Sequence, residues 1–240
     1  MISKESILFL IPARKGSLGL KNKNIKLLGD LPLIQYSYDF AISLSTPKDE
    51  VCISTNDETI FNYFKKKRII LPFLRPDDLA TSKSTSDSVI KHALAFYKKQ
   101  NRFFKYVLFL QPTSPFRLKE DFFSLLKKMN FKTEMVVSVV KCKHSPYFNQ
   151  FQECNQNLVP IPLNKTLRIT RRQDLPHIFA YNGAYYFFRV DAFEKEGKMH
   201  FNQIIKFEMP VWRSIDIDTY DDWELAELYL PKFKTILNDK

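Results

Sequence analysis

Glycine and cysteine are both scarce in this sequence. Its 240 residues include 5 glycines, 13 prolines and 3 cysteines. So little glycine and proline excludes a collagen-like or low-complexity chain. The cysteines, Cys52, Cys142 and Cys154, are odd in number and lack metal-ligand spacing, which argues against a disulfide framework. Reduced thiols are typical of the cytoplasm, so the sequence predicts a cytoplasmic location.

Long apolar runs are missing as well. The N-terminal apolar run, Ser6 to Pro12, is too short for a membrane-spanning helix and has no signal-peptide cleavage region after it. We therefore expect no membrane partner. A hydrophobic content of 45% and an aromatic content of 15% suffice to bury a core. The length predicts one domain spanning residues 1–240.

Basic residues are in clear excess. Lysine and arginine total 37 against 26 acidic residues, which gives a formal net charge of +11. The lysines stand in short runs such as Lys65–Arg68, and no element interleaves aromatic with basic residues as nucleic-acid-binding segments do. We therefore predict no nucleic-acid partner. The positive charge would instead attract small anionic substrates.

Apolar strands alternate with amphipathic helices over the first 140 residues. Strands are predicted at Ile7–Ile11, Val51–Ser54, Ile69–Phe73, Tyr106–Leu110 and Met135–Val140. Helices are predicted over Leu33–Ser43, from a cap at Asn56 or Asp57 to Lys67, and after a cap at Ser86. This order predicts an α/β fold with a Rossmann-like, mostly parallel sheet flanked by helices.

The alternation stops in the stretch 141–181, which is polar and rich in asparagine. We interpret it as an inserted excursion from the sheet, either a lid or an arm that docks onto a second subunit. Strands are predicted to resume at Ala184–Val190 and Val211–Ile217, before a C-terminal helix over Thr219–Leu230 capped by Thr219 or Asp221.

The first motif runs from Pro12 to Asn24, directly after the first strand. Gly16 and Gly19 allow close approach of the backbone to a bound group, and Arg14 and Lys23 supply positive charge for phosphates. The motif matches neither a Walker loop nor a dinucleotide-binding fingerprint. Alone, it would also fit a solvated basic loop.

The second motif, Leu110 to Arg117, follows the fourth predicted strand. Its two prolines stiffen a turn that is expected to present an amide, two hydroxyls and the Arg117 guanidinium at the ligand edge of the sheet. Such groups can hydrogen-bond sugar hydroxyls. An ordinary strand-to-helix turn capped by Ser114 is the alternative.

The third motif is Ser214 to Thr219. In a strand, Asp216 and Asp218 would lie on the same face, where two carboxylates repel each other unless a cation holds them. Hard oxygen ligands beside a phosphate substrate point to Mg²⁺. A helix cap made by one of the two carboxylates is the alternative.

Together and in this order, the three motifs resemble the CMP-sialic acid synthetase family, the cytidylyltransferases of sialic, legionaminic, pseudaminic and related nonulosonic acids. The resemblance covers roughly residues 6 to 230 and extends to Leu74–Ala80, Arg172–Pro176 and Asn182–Tyr186. It implies transfer of CMP from CTP to an acidic sugar, a homodimer, and an arm at 141–181 that reaches the neighbouring subunit's sugar site.

The resemblance also implies roles for individual residues. Lys23, Arg14 and Asp218 would be catalytic, and Asp216 and Asp218 would hold Mg²⁺. CTP would be bound by Arg14, Gly16, Ser17, Lys23, Asn24, Arg75, Ser84 and Ser86. The sugar would be held by Gln111, Thr113, Ser114, Arg172, Gln173 and Tyr186.

Two positions depart from the family pattern. Leu18 stands where many sialic-acid members have a lysine, and Phe148 stands where they have a lysine after the His-Ser-Pro triplet. An apolar group at 148 would suit a deoxy sugar such as legionaminic or pseudaminic acid. The alternatives are an eight-carbon acid of the Kdo or amino-Kdo type as substrate, or a nucleotide-binding protein of the same fold without catalysis.

Overall fold

The computed structural model describes residues 5–16, 19–161 and 171–238, and these contain ten strands and six α-helices. The strands are β1 (Ile7–Ala13), β2 (Leu27–Leu28), β3 (Leu31–Pro32), β4 (Glu50–Thr55), β5 (Tyr106–Phe109), β6 (Met135–Lys141), β7 (Phe151–Cys154), β8 (Asn157–Pro160), β9 (Phe179–Arg189) and β10 (Ile204–Glu208). The helices are α1 (Leu33–Ile42), α2 (Glu58–Lys66), α3 (Ser86–Lys98), α4 (Lys119–Lys128), α5 (Val190–Glu196) and α6 (Tyr220–Asn238).

Six of the strands form the central sheet, in the order β10-β6-β9-β5-β1-β4. Neighbouring strands are parallel except at β9, which runs antiparallel to both β5 and β6. The predicted mostly parallel sheet is therefore confirmed. The pairing of β6 with β9 shifts register between Val137 and Val139, and this irregularity lies opposite the part of β9 that contains Asn182 and Gly183.

Both faces of the sheet are covered, because successive side chains of each strand alternate between them. In β1, Phe9 and Ile11 pack against residues of α1, α2 and α4. Leu8 and Leu10 pack on the other side with residues of α3 and α5. All four side chains are fully buried, as a strand covered on both faces requires.

A third apolar cluster joins the C-terminal helix to the loops at one edge of the sheet. Trp223 and Phe233 of α6 pack with Leu20, Phe116 and Ile217, which belong to the three sequence motifs or border them. The last helix thus brings the motif loops together by burying their apolar residues.

Side-chain caps begin several of the helices. Asp57 accepts a hydrogen bond from the Thr59 amide at 2.9 Å, which confirms one of the two predicted caps of α2. Thr219 and Asp222 form a reciprocal pair at the start of α6, so the predicted Thr219 cap is confirmed. For α3 the cap is Thr85 instead of Ser86.

Two predicted strands are wrong. Residues 69–73 are irregular, with Ile70 93% exposed and Leu71 buried, so the run contributes little more than one side chain to the core. Val211–Arg213 is a 3₁₀ turn, and the residues that follow it up to α6 are irregular. The strand in this part of the chain is β10, which the sequence reading missed.

Between β6 and β9 the chain leaves the central sheet, and strands β7 and β8 pair only with each other. Lys141 and residues 179–181, at the two ends of the expected excursion 141–181, still pair within the sheet. The interpretation of this stretch as a lid or an arm stays a prediction. Residues 162–170 of this stretch fall outside the described residues. None of the described helices is both long and apolar enough to cross a membrane.

Candidate active site

Three clefts meet at Gln111, beyond the carboxyl ends of β1 and β5, where ligands of parallel sheets bind. The polar cleft has a volume of about 490 Å³ and is lined by Pro12, Arg14, Gly19, Lys23, Asn24, Gln111, Pro112, Thr113, Asp218 and Thr219. The arginine cleft, about 190 Å³, is lined by Arg75, Ser84, Thr85, Ser86, Val89 and Phe109 together with Pro12, Arg14 and Gln111. The apolar cleft, about 240 Å³, is lined by Ser86, Phe109, Gln111, Met135, Tyr181, Tyr186 and Met199.

Hydrogen bonds hold the loop after β1 in place around its basic residues. The Lys15 amide donates to Asn56 Oδ1 at 2.8 Å, and Asn24 Nδ2 donates to the Arg14 carbonyl at 3.4 Å. Arg14 Nη1 donates to the Gly16 carbonyl at 3.3 Å. Arg14 is thereby kept at the junction of the polar and arginine clefts, where it can serve a ligand that occupies both.

Lys23 joins the first motif to the third. Its buried ammonium donates to the Ile217 carbonyl at 2.6 Å and to Asp218 Oδ1 at 2.7 Å. The Asp218 side chain is 72% exposed, so this ion pair opens onto the polar cleft. A cation and a carboxylate therefore stand side by side at the mouth of the cleft, which suits a ligand carrying both phosphate and a metal ion.

The close approach of these two motifs depends on Gly19. A β-carbon placed on Gly19 would collide with the carbonyl oxygen of Asp218. The first and third motifs therefore pack backbone to backbone here, and a side chain at position 19 would force them apart.

Asp216 lies beside Gly183 of β9 and lines none of the three clefts. A β-carbon on Gly183 would lie 3.4 Å from Asp216 Oδ2. Although part of the residue is open to solvent, protein flanks its carboxyl, and this desolvation raises its pKa. The neighbouring negative charge of Asp218 acts in the same direction, and a hydrogen bond from Thr113 opposes both.

Arg75 forms the inner wall of the arginine cleft. The residue is 4% exposed, and its Nε and Nη2 have no hydrogen-bond partner among the described residues. Burial, reinforced by the positive charge of Arg14, lowers the pKa of Arg75 to about 10, so the guanidinium stays protonated at neutral pH. Buried donors without acceptors are costly, and a ligand with acceptor atoms in this cleft would satisfy them.

Chains of known function resemble this one over nearly its whole length. Residues 8–229 match the family model described as cytidylyltransferase. The CMP-N,N'-diacetyllegionaminic acid synthase of Legionella pneumophila is 32% identical, over 92% of this chain and 94% of that protein. The chain belongs to the cytidylyltransferase family. The pseudaminic acid cytidylyltransferase of Campylobacter jejuni is 29% identical over the same shares of the two chains.

Solved structures share the fold of this cytidylyltransferase. A CMP:2-keto-3-deoxy-manno-octonic acid synthetase complexed with CTP superposes with a TM-score of 0.67 at 16% identity, over 95% of this chain and 99% of that one. The 4-diphosphocytidyl-2C-methyl-D-erythritol synthase of Anaerococcus prevotii gives 0.62 at 15% identity, with the same coverage. Identities this low establish the fold alone.

Most of the residues singled out from the sequence of the cytidylyltransferase line these clefts. They are Arg14, Lys23, Asn24 and Asp218 with Gln111 and Thr113 in the polar cleft, Arg75, Ser84 and Ser86 in the arginine cleft, and Tyr186 in the apolar cleft. Gly16 lies on the exposed loop after β1. Ser17, Leu18 and the Arg172 side chain fall outside the described parts of the chain.

Two predicted sugar-binding residues lie away from the clefts. Ser114 is fully buried, and its hydroxyl donates to the Asn182 carbonyl at 2.9 Å. Gln173 lines a separate cleft with Lys141 and His144, at the base of the β7–β8 hairpin. Phe148 is half-exposed in the loop that leads to this hairpin and lines none of the three clefts.

The expectation that Arg117 faces a ligand is wrong. Arg117 is buried, and its guanidinium donates to the Ala184 and Gln111 carbonyls and to Ser37 Oγ at 2.6–2.8 Å. It therefore anchors the second motif to β9 and α1. A two-proline turn needs such an internal donor because prolines contribute no backbone N–H of their own.

Sequence reasoning missed the role of Asn182. Its Oδ1 accepts from Ser138 Oγ at 2.5 Å, and its Nδ2 donates to Ser214 Oγ at 2.9 Å. The next residue, Gly183, has φ of 75°, and a β-carbon there would lie 2.6 Å from Gln111 Oε1. The Asn-Gly pair was a usable signal, since that pair is typical of a positive-φ turn. No sequence pattern pointed to Met135 and Met199 in the apolar cleft.

Replacing Gly19 with alanine should lower kcat/KM for CTP by roughly 100-fold, since the added methyl separates the loop after β1 from the Asp218 backbone. Steady-state pyrophosphate release measures the effect. Gly197→Ala is the matched control, because Gly197 ends α5 at φ 65°, so alanine there should cost about 1 kcal/mol of stability and leave kcat/KM unchanged. Equal kinetic loss in both variants would show that Gly19 matters only for folding.

Proposed function

We propose that this chain activates an acidic nonulosonic sugar with CTP, forming the CMP-sugar and pyrophosphate. The meeting of the three clefts at Gln111 carries the proposal, because one cleft offers charge for phosphates, one offers unpaired donors for a base, and one is apolar. Membership of the cytidylyltransferase family and the names of the relatives support CTP and this class of sugar.

CTP would lie across the polar and arginine clefts. The free Nε and Nη2 of Arg75 are suited to the acceptor atoms of cytosine, with Ser84 and Ser86 near the ribose. Arg14 and Lys23 would bind the phosphates. Arg14 lines both clefts, so it is placed to hold the nucleotide where base and phosphate portions join.

The sugar would lie in the apolar cleft against Gln111 and Tyr186, with Thr113 at the edge toward the phosphates. The side chains of Met135, Met199 and Phe109 have no polar group to offer to a hydroxyl. They are suited to a methyl group, either of an acyl substituent or of a deoxy carbon. A deoxy carbon in this cleft would favour legionaminic-type or pseudaminic-type acids, whereas an acyl methyl would not separate them from sialic acid.

Asp216 and Asp218 fit a Mg²⁺ site. No group of three or more His, Cys, Asp or Glu in the described ranges could hold a metal, but Mg²⁺ commonly uses one or two carboxylates and keeps several waters. The mutual repulsion of the two carboxylates is the kind that a cation relieves. Bound there, Mg²⁺ would neutralise phosphate charge.

The reaction we infer is an in-line displacement at the α-phosphorus of CTP. The anomeric hydroxyl oxygen of the sugar forms the new P–O bond, and the bond to pyrophosphate breaks. Asp218, exposed at the cleft mouth, would accept the hydroxyl proton. Lys23 and Arg14 would stabilise the charge that develops on the phosphates. We place the reaction in the cytoplasm, a compartment in which the free thiols Cys52, Cys142 and Cys154 stay reduced.

Pyrophosphate release from CTP, measured with a panel of sugars, tests the function. We expect turnover with legionaminic, pseudaminic or sialic acid, and little with an eight-carbon Kdo-type acid or without sugar. Preference for the eight-carbon acid would reassign the substrate, and absence of turnover with every sugar would indicate a nucleotide-binding protein without catalysis.

Combined Asp216→Asn and Asp218→Asn should lower kcat by about 100-fold or more. Asp221→Asn, on the exposed first turn of α6, is the matched control.

Met199→Ala should raise KM for an acylated or deoxy sugar by about tenfold and leave KM for CTP unchanged, because it removes apolar contact from the apolar cleft alone. Initial rates with each substrate varied in turn measure both constants. The control is Met129→Ala, which truncates a buried methionine at the end of α4 away from the clefts. A rise in KM for CTP in the Met199 variant would contradict the assignment of the apolar cleft to the sugar.

We also propose that two copies of this chain pair through the β7–β8 hairpin. Its residues Phe151 and Leu158 are 50% and 73% exposed, and an isolated two-stranded ribbon is barely stable without a surface to pack on. Sedimentation velocity should give twice the chain mass of 28.4 kDa. Phe151→Ser with Leu158→Ser should give the single mass, whereas Ile70→Ser, at an exposed residue elsewhere, should not. A monomeric unmutated chain would contradict the proposal.

A further inference from the structure

A buried ion pair lies just outside the candidate active site. Arg213 forms a bidentate contact with Asp121, in which Nη1 and Nη2 each donate to one of the two carboxylate oxygens. The side chains are 9% and 7% exposed. Neither residue lines the polar, arginine or apolar cleft, so the pair does not contact a ligand there.

Asp121 is a rigid anchor for this pair. In the first turn of α4, its Oδ2 accepts from the Leu118 amide at 3.1 Å and from the Tyr185 hydroxyl at 2.9 Å. Tyr185 belongs to β9, in the centre of the sheet, and is fully buried. The carboxylate is thus fixed to both the sheet and the helix, and it cannot move without disturbing the core.

Arg213 belongs to the segment that carries the two active-site carboxylates. It ends the 3₁₀ turn Val211–Arg213, three positions before Asp216. The segment Ser214–Asp218 belongs to no strand, so no ladder of backbone hydrogen bonds fixes it. Its other attachments are apolar burial of Ile215 and Ile217 against α6 and individual hydrogen bonds. These bonds include Asn182 Nδ2 to Ser214 Oγ at 2.9 Å, the Ile217 amide to the Thr113 carbonyl at 2.9 Å, and Lys23 Nζ to the Ile217 carbonyl at 2.6 Å and to Asp218 Oδ1 at 2.7 Å.

We propose that the Arg213–Asp121 pair is a positioning device, which fixes the segment Ser214–Asp218 so that Asp218 lines the polar cleft and Asp216 lies beside Gly183. The proposal rests on the proposed function for the roles of those two carboxylates. Buried ion pairs contribute little to stability compared with apolar residues of the same size. A bidentate guanidinium–carboxylate pair, by contrast, fixes both the distance between its two residues and their relative orientation, which an apolar contact does not.

The experiment replaces the pair by neutral residues of similar size, Arg213→Met with Asp121→Asn. The asparagine retains an oxygen for the Leu118 amide and the Tyr185 hydroxyl. Because the buried charges are removed together, we expect a Tm near that of the unmutated chain. Hydrogen exchange of the peptide spanning 210–219 should become at least about tenfold faster, since the tether has gone. With substrates present, kcat should fall by roughly 10- to 100-fold, with KM for CTP changed less than about threefold.

The matched control is Arg102→Met with Glu50→Gln. This ion pair joins the start of β4 to the chain after α3. It therefore lies at the amino end of β4, whereas the clefts lie beyond the carboxyl ends of β1 and β5. It should change neither the exchange of peptide 210–219 nor kcat. Arg213→Lys is a second variant, which keeps the positive charge but loses the bidentate geometry. In this variant the exchange of peptide 210–219 should be faster and kcat lower than in the unmutated chain, each by less than in the double variant.

Two results would overturn the proposal. One is unchanged exchange and kcat in the Arg213–Asp121 double variant. The other is faster exchange throughout the chain in proportion to a fall in Tm, in that variant or in Arg213→Lys, which would show a purely structural role. Exchange needs no substrate, so this outcome is separate from a failure of the sugar panel to show turnover.

Discussion

The candidate site depends on how the irregular segment 213–218 is held against the ends of the strands. Backbone and side-chain hydrogen bonds join it to the second motif at Thr113, to the first motif at Lys23 and to β9 at Asn182. Apolar burial of Ile215 and Ile217 beside Trp223 of α6 holds it from behind. Residues from opposite ends of the chain thereby share one cleft, and without this docking the two carboxylates would have no defined partners.

Several charged groups of the site either pair with a neighbouring charge or disfavour the ionisation of a neighbour. The Lys23 ammonium pairs with Asp218, and burial together with the negative charge of Asp218 disfavours ionisation of Asp216. Burial, reinforced by the positive charge of Arg14, disfavours the charged form of Arg75. Bound CTP would relieve these costs, because its phosphates would pair with Lys23 and Arg14, its base would accept hydrogen bonds from Arg75, and a metal ion would neutralise the carboxylates. The site is therefore built for an occupied state.

The buried polar residues around the site serve a different purpose from those that line it. Arg117, Asn182 and Ser114 direct their hydrogen bonds to backbone carbonyls and to neighbouring side chains, all within protein. They fix the two-proline turn and the irregular part of β9 at Gly183, next to the Gln111 side chain at the junction of the three clefts. From sequence, a polar residue that supports a loop is indistinguishable from one that contacts a ligand, since both are hydrogen-bonding residues in the same motif.

Continuous apolar runs and a 3.6-residue periodicity depend on local composition, so the sequence alone predicted β1, β4, β5 and β6 together with α1, α2, α3 and α6. The three motifs were also visible in the sequence, since each is a short run of polar and charged residues after a predicted apolar strand or before the last predicted helix. No local pattern showed that residues 69–73 are irregular or that 211–217 are a 3₁₀ turn followed by irregular chain, since a short apolar run becomes a strand only where a neighbouring strand is available to pair. Tertiary packing alone makes Arg117 donate to the Ala184 carbonyl, brings Met135 and Met199 together beside Gln111, and lets Arg213 reach Asp121. Those contacts join residues far apart in the chain, and no local pattern records which of them the packing of the sheet brings together.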